Sequence, residues 1–222
     1  MSSLAPHRVK DARDFGQVAL LVGGASAERD VSLKGGADVS ASLERSGVTH
    51  GVFDGAPALF AAIHRGEVDR VFNLMHGPGG EDGAIQGALA LMDVPITGSD
   101  VLGSSLSMDK VRSKWVWERL GIPTAPFEII ETDDEHFGAL TEGLALPLFV
   151  KPTGLGSSIG ISRVTDRQQL GEAVTEARRF SDTVIVEEGI QGREFFVGIL
   201  DEATLPLIGI ETPNEFYDYE AK

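Results

Sequence analysis

Three glycine-rich loops carry the residues that could do chemistry, and each follows a short apolar run. The first, GGASAERDVS at 23–32, offers Ser26 and Glu28, a hydroxyl and a carboxylate close to a helix start. Glu28 could hold a cationic group of a ligand there, or simply complement the helix dipole. The second loop, HGPGGEDG at 76–83, has four glycines in eight residues, which expose backbone amides and let His76, Glu81 and Asp82 converge. That set fits a polar site for an amine or a carboxylate. The structural alternative is a turn in which Asp82 caps the next helix. The third segment, LFVKPTGLGSSIG at 148–160, ends an apolar strand on Lys151, an awkward place for a cation unless an anion arrives. Its glycines follow a GxGxxxG spacing with Ser157 and Ser158 between them, which supplies amide and hydroxyl donors for phosphate oxygens, or else forms a plain turn. It is not a P-loop, since GxxxxGK[ST] is absent, nor a dinucleotide fingerprint, since a strand rather than a helix follows.

Lysine usage sharpens these readings. The sequence has six lysines against 13 arginines, and Lys110, Lys151 and Lys222 all stand beside motif-like segments. The stretch VIVEEGIQGRE at 184–194 sets Glu187, Glu188 and Glu194 on and just beyond a strand. Carboxylates so spaced could bind a ribose hydroxyl or an exocyclic amine, or could line a solvated strand edge.

The elements that must position these loops follow from hydrophobic pattern. Gln17–Val22 reads as a strand ending at Gly23-Gly24, then a helix spans about Asp30–Arg45 with Gly47 beyond its end. Val48–Phe53 is a second strand, Pro57–Arg65 a helix with proline in its first turn, and Val71–Met75 a third strand. A helix over about Ala84–Met92 and a short strand before Gly98 complete the first half. Strand and helix alternating at this spacing predict parallel βαβ units in a doubly wound α/β sheet. After about Ser107 the character changes: a helix over Asp109–Leu120 carries Trp115 and Trp117, and strands are predicted at Phe127–Ile130, Leu148–Val150 and Ile161–Val164. A polar helical stretch separates the first two of these strands, and a helix follows over about Arg167–Phe180. Strands at Val184–Glu187, Glu194–Leu200 and Leu205–Ile210 lie close enough in sequence to imply antiparallel pairing, so this half is α+β, with a domain boundary near 100–108.

Composition narrows the function classes. The 222 residues have ordinary globular composition, 42 % hydrophobic and 24 % charged, and a net charge of −15. Affinity for nucleic acid or an anionic membrane needs clustered positive charge, so neither partner is expected. The absence of cysteine removes disulfide scaffolds, thiol nucleophiles and zinc–thiolate sites, and is compatible with a reducing cytoplasm. Residues 1–16 are polar and read as a flexible leader, and no apolar run approaches the roughly 20 residues that span a bilayer. The protein is expected to be soluble and cytoplasmic.

Taken together, GGASAERDVSL, HGPGGEDGAIQG, GSDVLGSSLSMDKVRSK, LFVKPTGLGSSIGIS, VEEGIQGREF and FYDYEAK resemble the D-alanine–D-alanine ligases of the ATP-grasp superfamily, in that family's order. The resemblance implies ATP-dependent joining of two D-alanines through an acyl phosphate, for peptidoglycan precursors. It implies a substrate-binding α/β domain over residues 17–106 and an ATP-grasp subdomain over 107–190. Residues 191–222 would then begin the second subdomain and a mobile lid. By the same resemblance Glu28 holds the first D-alanine's ammonium, supported by His76 and Glu81, while Ser157 orients the second D-alanine beside Ser158. Lys110, Lys151, Gly156 and Ser158 would contact ATP phosphates. Glu187, Glu188, Gly189 and Ile190 would line the adenine pocket, Glu194 the ribose, and Lys222 of the lid would reach the γ-phosphate. Glu188 stands where such ligases often have a basic residue, in our reading. Magnesium (or manganese) is implied as well, with its ligands expected beyond Lys222. This part of the sequence is therefore expected to be the inactive front of a longer chain, and a homodimer is expected of the whole. A D-lactate- or D-serine-specific variant, or a non-catalytic binding module, are the alternatives.

Overall fold

Strand β1 (Val18–Val22) is buried along its whole length, which requires cover on both faces. The reason lies in a three-stranded parallel sheet, order β2-β1-β3, whose outer members are β2 (His50–Asp54) and β3 (Arg70–Asn73). Helix α1 (Arg29–Arg45) lies on the Val22 side, with Gly36 against that side chain. Helix α2 (Gly55–His64) lies on the other, where Leu59 joins Ala19, Leu21 and Val71 in one core cluster. Full burial of each such leucine is worth roughly 1.5–3 kcal/mol. Helices on opposite faces of a parallel sheet make the doubly wound arrangement that the alternation predicts. Helices α3 (Ala84–Leu91) and α4 (Val101–Met108) follow. The computed structural model describes residues 9, 11–131, 136–200 and 203–212. Among these, the expected strand before Gly98 reduces to a single bridge between Ile96 and Val71. Residues 100–108, expected as a boundary, fold as α4, whose cap is Asp100 accepting from Gly103 N at 2.8 Å.

The chain divides into two compact units between Asp109 and Lys110. The second opens with α5 (Lys110–Leu120). Its four-stranded antiparallel sheet has the order β4-β7-β5-β6, from β4 (Phe127–Ile130), β5 (Leu148–Pro152), β6 (Ser162–Val164) and β7 (Val184–Glu188). One turn of helix, α6 (Phe137–Leu140), precedes β5, and α7 (Leu170–Ala177) precedes β7. Leu148, Val150, Val184 and Val186 face a core shared with Ile130, Leu170 and Val174. Residues of the opposite parity, Phe149, Lys151 and Glu187, point to the other face, because side chains alternate along a strand. The helix predicted over Arg167–Phe180 is a 3₁₀ turn followed by α7 and stops at Ala177. The two long strands predicted at 194–200 and 205–210 break into β8 (Glu194–Phe196), β9 (Ile199–Leu200), β10 (Ala203–Thr204) and β11 (Ile208–Ile210). These pair antiparallel as β8 with β11 and β9 with β10.

Candidate functional site

In the first unit, parallel pairing brings the loops after β1 and β3 to the same carboxyl edge of the sheet, where the chain order switches sides. Serines stitch these loops together: Ser26 Oγ donates to His76 O at 2.7 Å and Ser32 Oγ to Leu74 O at 2.5 Å, while Gly23 N donates back to Ser32 Oγ at 2.8 Å. Glu28 sits at the N-terminal cap position of α1 and is only 2 % exposed. Its Oε2 lies against Gly77, which has φ +70; a Cβ there would come within 2.7 Å of that oxygen. His76 Nδ1 bonds to Leu74 O at 2.8 Å, which leaves Nε2 as the ring's second polar atom. Glu81 Oε2 accepts from Gly77 N at 2.7 Å, so this carboxylate shapes the loop. Asp82 is not the helix cap that its structural alternative foresees, since Gly83 holds that position; instead its carboxylate accepts from Gly79 N at 2.9 Å and Ala84 N at 3.0 Å and ties the loop to the helix start. Gly80 is pinned by its carbonyl, which accepts from Asn73 Nδ2 at 2.8 Å and from buried Gln86 Nε2 at 2.9 Å. Sequence reading missed Ser32, Asn73 and Gln86. The available signal was a polar residue inside an apolar run, in VFNLM and AIQGALAL.

Beneath the first loop, Arg29 grips Asp54 with both nitrogens, Nη1 at 2.6 Å from Oδ1, and also reaches Gly24 O at 3.0 Å. The Arg29 hydrogen bonds, with a further one from Gly24 N, hold the Asp54 carboxyl down to about 2.

In the second unit, a cleft of about 360 Å³ gathers Lys151, Ser158, Glu187, Glu188, Ile190 and Glu194. Register explains part of it. Glu187 pairs with Phe149 across β5 and β7, and Lys151 lies two residues along on the same face, within diagonal reach. Lys151 Nζ accordingly bonds Glu187 Oε1, so the anion that Lys151 requires is internal. Glu187 Oε2 is 2.9 Å from Lys114 Nζ, a lysine to which sequence reading assigned no role. Burial pushes the Glu187 carboxyl up, but the charge and hydrogen bonds of Lys151 and Lys114 outweigh it and hold the group below its ordinary value. Glu188 Oε1 accepts from Ala145 N at 2.8 Å, Gly189 N donates to Pro147 O at 2.6 Å, and Ile190 is 79 % exposed. Glu194 begins β8 and is exposed.

The third loop borders the cleft through Ser158. Ser157 and Ser158 take φ +48 and +59, left-handed geometry that costs a serine on the order of 1 kcal/mol. Gly156 O accepts from Ile159 N at 3.2 Å inside the same turn. Lys110 braces the loop twice, its N donating to Thr153 O at 3.1 Å and its Nζ to Leu155 O. Lys222 and the FYDYEAK block lie outside the described residues.

Comparison with known proteins places both halves. The family models described as D-ala D-ala ligase N-terminus and D-ala D-ala ligase C-terminus match residues 50–99 and 116–222. D-alanine–D-alanine ligase B of Xanthomonas campestris pv. campestris is 45 % identical over 225 residues, covering 100 % of this chain and 71 % of that protein. The D-alanine–D-alanine ligase of Azoarcus sp. is 48 % identical over 208 residues, covering 94 % and 68 %. Among solved structures, D-alanine–D-alanine ligase from Bacillus anthracis complexed with ATP matches with a TM-score of 0.79 and 28 % identity, over 90 % of this chain and 68 % of that one. With matches to both family models and this identity to whole ligases, the chain belongs to the D-alanine–D-alanine ligase family.

Proposed function

We propose that this protein is an ADP-forming ligase that joins two D-alanines with ATP, for peptidoglycan precursors. The carboxylate of the first D-alanine attacks the γ-phosphate, giving an acyl phosphate and ADP. The amine of the second attacks the acyl carbon and phosphate leaves. Such chemistry rests on positioning and charge neutralisation more than on covalent participation by the protein. The observation that carries this reading is the cleft in which Lys151, Ser158, Glu187, Glu188, Ile190 and Glu194 converge, six of the residues the family resemblance assigns to ATP.

Residue roles follow from chemistry and surroundings. Glu28 offers a buried carboxylate beside Gly77, suited to the first D-alanine's ammonium, with His76 Nε2 and the Glu81-shaped loop in support. Ser157 orients the second D-alanine. Ser158, Gly156, Lys110 and Lys151 serve the phosphates, and Lys222 joins them from the lid. The strand end at Glu187, Glu188, Gly189 and Ile190 receives adenine, its backbone serving where Glu188 is held by Ala145 N, and Glu194 receives the ribose. The unit that ends at Asp109 forms the substrate domain, and the unit that begins at Lys110 carries the first ATP-grasp subdomain up to residue 190 and the start of the second over 191–222. Magnesium is implied by the family. Among the described residues no group of three or more histidines and carboxylates could hold a metal ion, and no step here runs through one. A cytoplasmic location and a homodimer are part of the proposal, the latter tested by light scattering.

Mass spectrometry of the product that the full-length protein forms from D-alanine, D-lactate and ATP together tests the assignment. D-alanyl-D-alanine with equimolar ADP is the expected outcome. A depsipeptide would overturn the product assignment, and ATP binding without turnover would favour a binding module.

A further inference from the structure

Lys114 is nearly enclosed, 5 % exposed in the middle of α5. Its ammonium meets Glu187 Oε2 at 2.9 Å, Thr124 Oγ1 at 2.8 Å and Ala125 O at 2.9 Å, and lies 4.9 Å from the centre of the Phe127 ring. An ammonium has three N–H donors, and these three acceptors use all of them, so Lys114 has none left for a ligand. Lys151 differs: its side chain is 22 % exposed, it lines the cleft, and it is held by the other oxygen of Glu187 and by the face of Phe149 at 5.4 Å. Two lysines thus share one carboxylate, with the saturated one buried behind it and the accessible one in front.

We propose that Lys114 is a positioning residue for phosphate binding: by occupying one oxygen of Glu187 it keeps that carboxylate from neutralising Lys151 and leaves the trio with one net positive charge at the cleft. The proposal rests on the nucleotide assignment of that cleft. Without Lys114, Glu187 and Lys151 cancel, and both carboxylate oxygens become free to grip the one remaining ammonium. With it, the carboxylate is shared, and Lys151 can exchange its single oxygen for one on a phosphate. A buried cation acts strongly because little water lies between it and its neighbours, which matters in a chain whose net charge is −15.

The test uses Lys114→Met and the double variant Lys114→Met/Glu187→Gln, with ATP and adenosine as calorimetric probes and thermal unfolding as a check on folding. Met keeps the apolar stem of Lys114, and in the double variant Lys151 alone restores the trio's single positive charge. Lys114→Met is expected to lose about tenfold in ATP affinity, the order expected for one unit charge near a phosphate at a protein surface. Its adenosine affinity should stay within about twofold, and the double variant, in which loss of the Glu187 adenine contact weakens ATP and adenosine alike, should bring the ratio of ATP to adenosine affinity back close to that of the wild type. Equal loss for ATP and adenosine in Lys114→Met, or a double variant whose ratio of ATP to adenosine affinity is no better than that of the single one, would overturn the proposal in favour of a packing role. ATP affinity unchanged in Lys114→Met, with wild-type binding intact, would overturn it outright. A wild-type chain that binds neither probe would overturn the nucleotide assignment, and the proposal with it. Should Lys114→Met not fold, the double variant, which leaves no stranded carboxylate, carries the comparison alone: a wild-type-like ratio of ATP to adenosine affinity supports the charge argument and a tenfold lower ratio refutes it.

Discussion

Replacing Glu187 by Gln removes the one carboxylate that Lys114 and Lys151 share. Lys114 then keeps Thr124 Oγ1 and Ala125 O, so a nearly enclosed charge is left with neutral acceptors only. Breaking a buried ion pair from one side costs roughly 3–5 kcal/mol. The Gln amide oxygen restores one acceptor and Lys151 can turn to water, which lowers the expected loss to about 2–3 kcal/mol at neutral pH. For a chain of this length that is a fall in Tm of about 5–10 °C. The loss carries a pH signature whose sign is fixed. Burial raises the Glu187 carboxyl, but the two lysines outweigh it and set the folded value below the ordinary 4.5. A carboxyl depressed in the folded state gives stability that is fully present above the unfolded value and is lost as pH falls through the folded one. The gap between wild type and Glu187→Gln should therefore be full at pH 7 and close on acidification below 4.5. Urea unfolding of both proteins across that range measures it. Equal stability at neutral pH, or a gap that stays constant into the acid range, refutes the shared-carboxylate account.

Gly77→Ala combines a left-handed backbone with a Cβ placed 2.7 Å from Glu28 Oε2. It should cost about 1–3 kcal/mol and raise the KM for D-alanine by about tenfold in the intact enzyme with the KM for ATP unchanged; steady-state kinetics with either substrate varied decides, and an unmoved D-alanine KM would sink the link to Glu28. Gly80→Ala puts a Cβ 2.5 Å from Met75 O, a backbone atom that cannot swing aside, so the urea midpoint should fall by the equivalent of about 2 kcal/mol or more, and a change below about 0.5 kcal/mol would contradict the packing. In Arg29→Ala, NMR titration should find the Asp54 carboxyl climbing from about 2 toward 3.8. Because that carboxyl is depressed in the folded protein, whatever stability the pair lends is present above 3.8 and disappears as pH falls toward 2, so wild type and variant should converge there.

The loops were legible because glycine, serine and a misplaced lysine declare themselves one residue at a time. Their partners were not. That Lys151 ends a strand could be read directly, but its ion pair with Glu187, 36 residues away, depends on the register of β7 against β5. Lys114 looked like one more charged residue on a helix of modest amphipathicity, and only the placement of α5 over Phe127 buries it. Helix α4 escaped notice because VLGSSLSM holds one glycine and three serines, poor helix formers that Asp100 offsets from outside the element. Apolar runs at 194–200 and 205–210 predict long strands, but the segments pair only over two or three residues each. Ser157 and Ser158 could be chosen as hydroxyl donors from type alone, whereas their left-handed backbone could not, since serine gives no signal for it.

A chain of net charge −15 that binds a nucleotide triphosphate must do so against its own distant field. Surface charges act over about 8 Å at physiological ionic strength, so attraction has to be local to the cleft. Spreading more lysines over the surface would be a diffuse solution, and with six lysines the sequence does not adopt it. Packing does the work instead. Lys110 is bound to Leu155 O and braces the serine-bearing loop, Lys114 is saturated behind Glu187, and Lys151 is left at the cleft wall with half a carboxylate to release. Lys114 acts through the carboxylate it holds, and Lys110 also fixes the loop that bears the serines, which makes their contribution one of geometry as much as of charge. A lysine added at random near the cleft would bring the charge without the acceptors that fix its direction, and could not substitute for either.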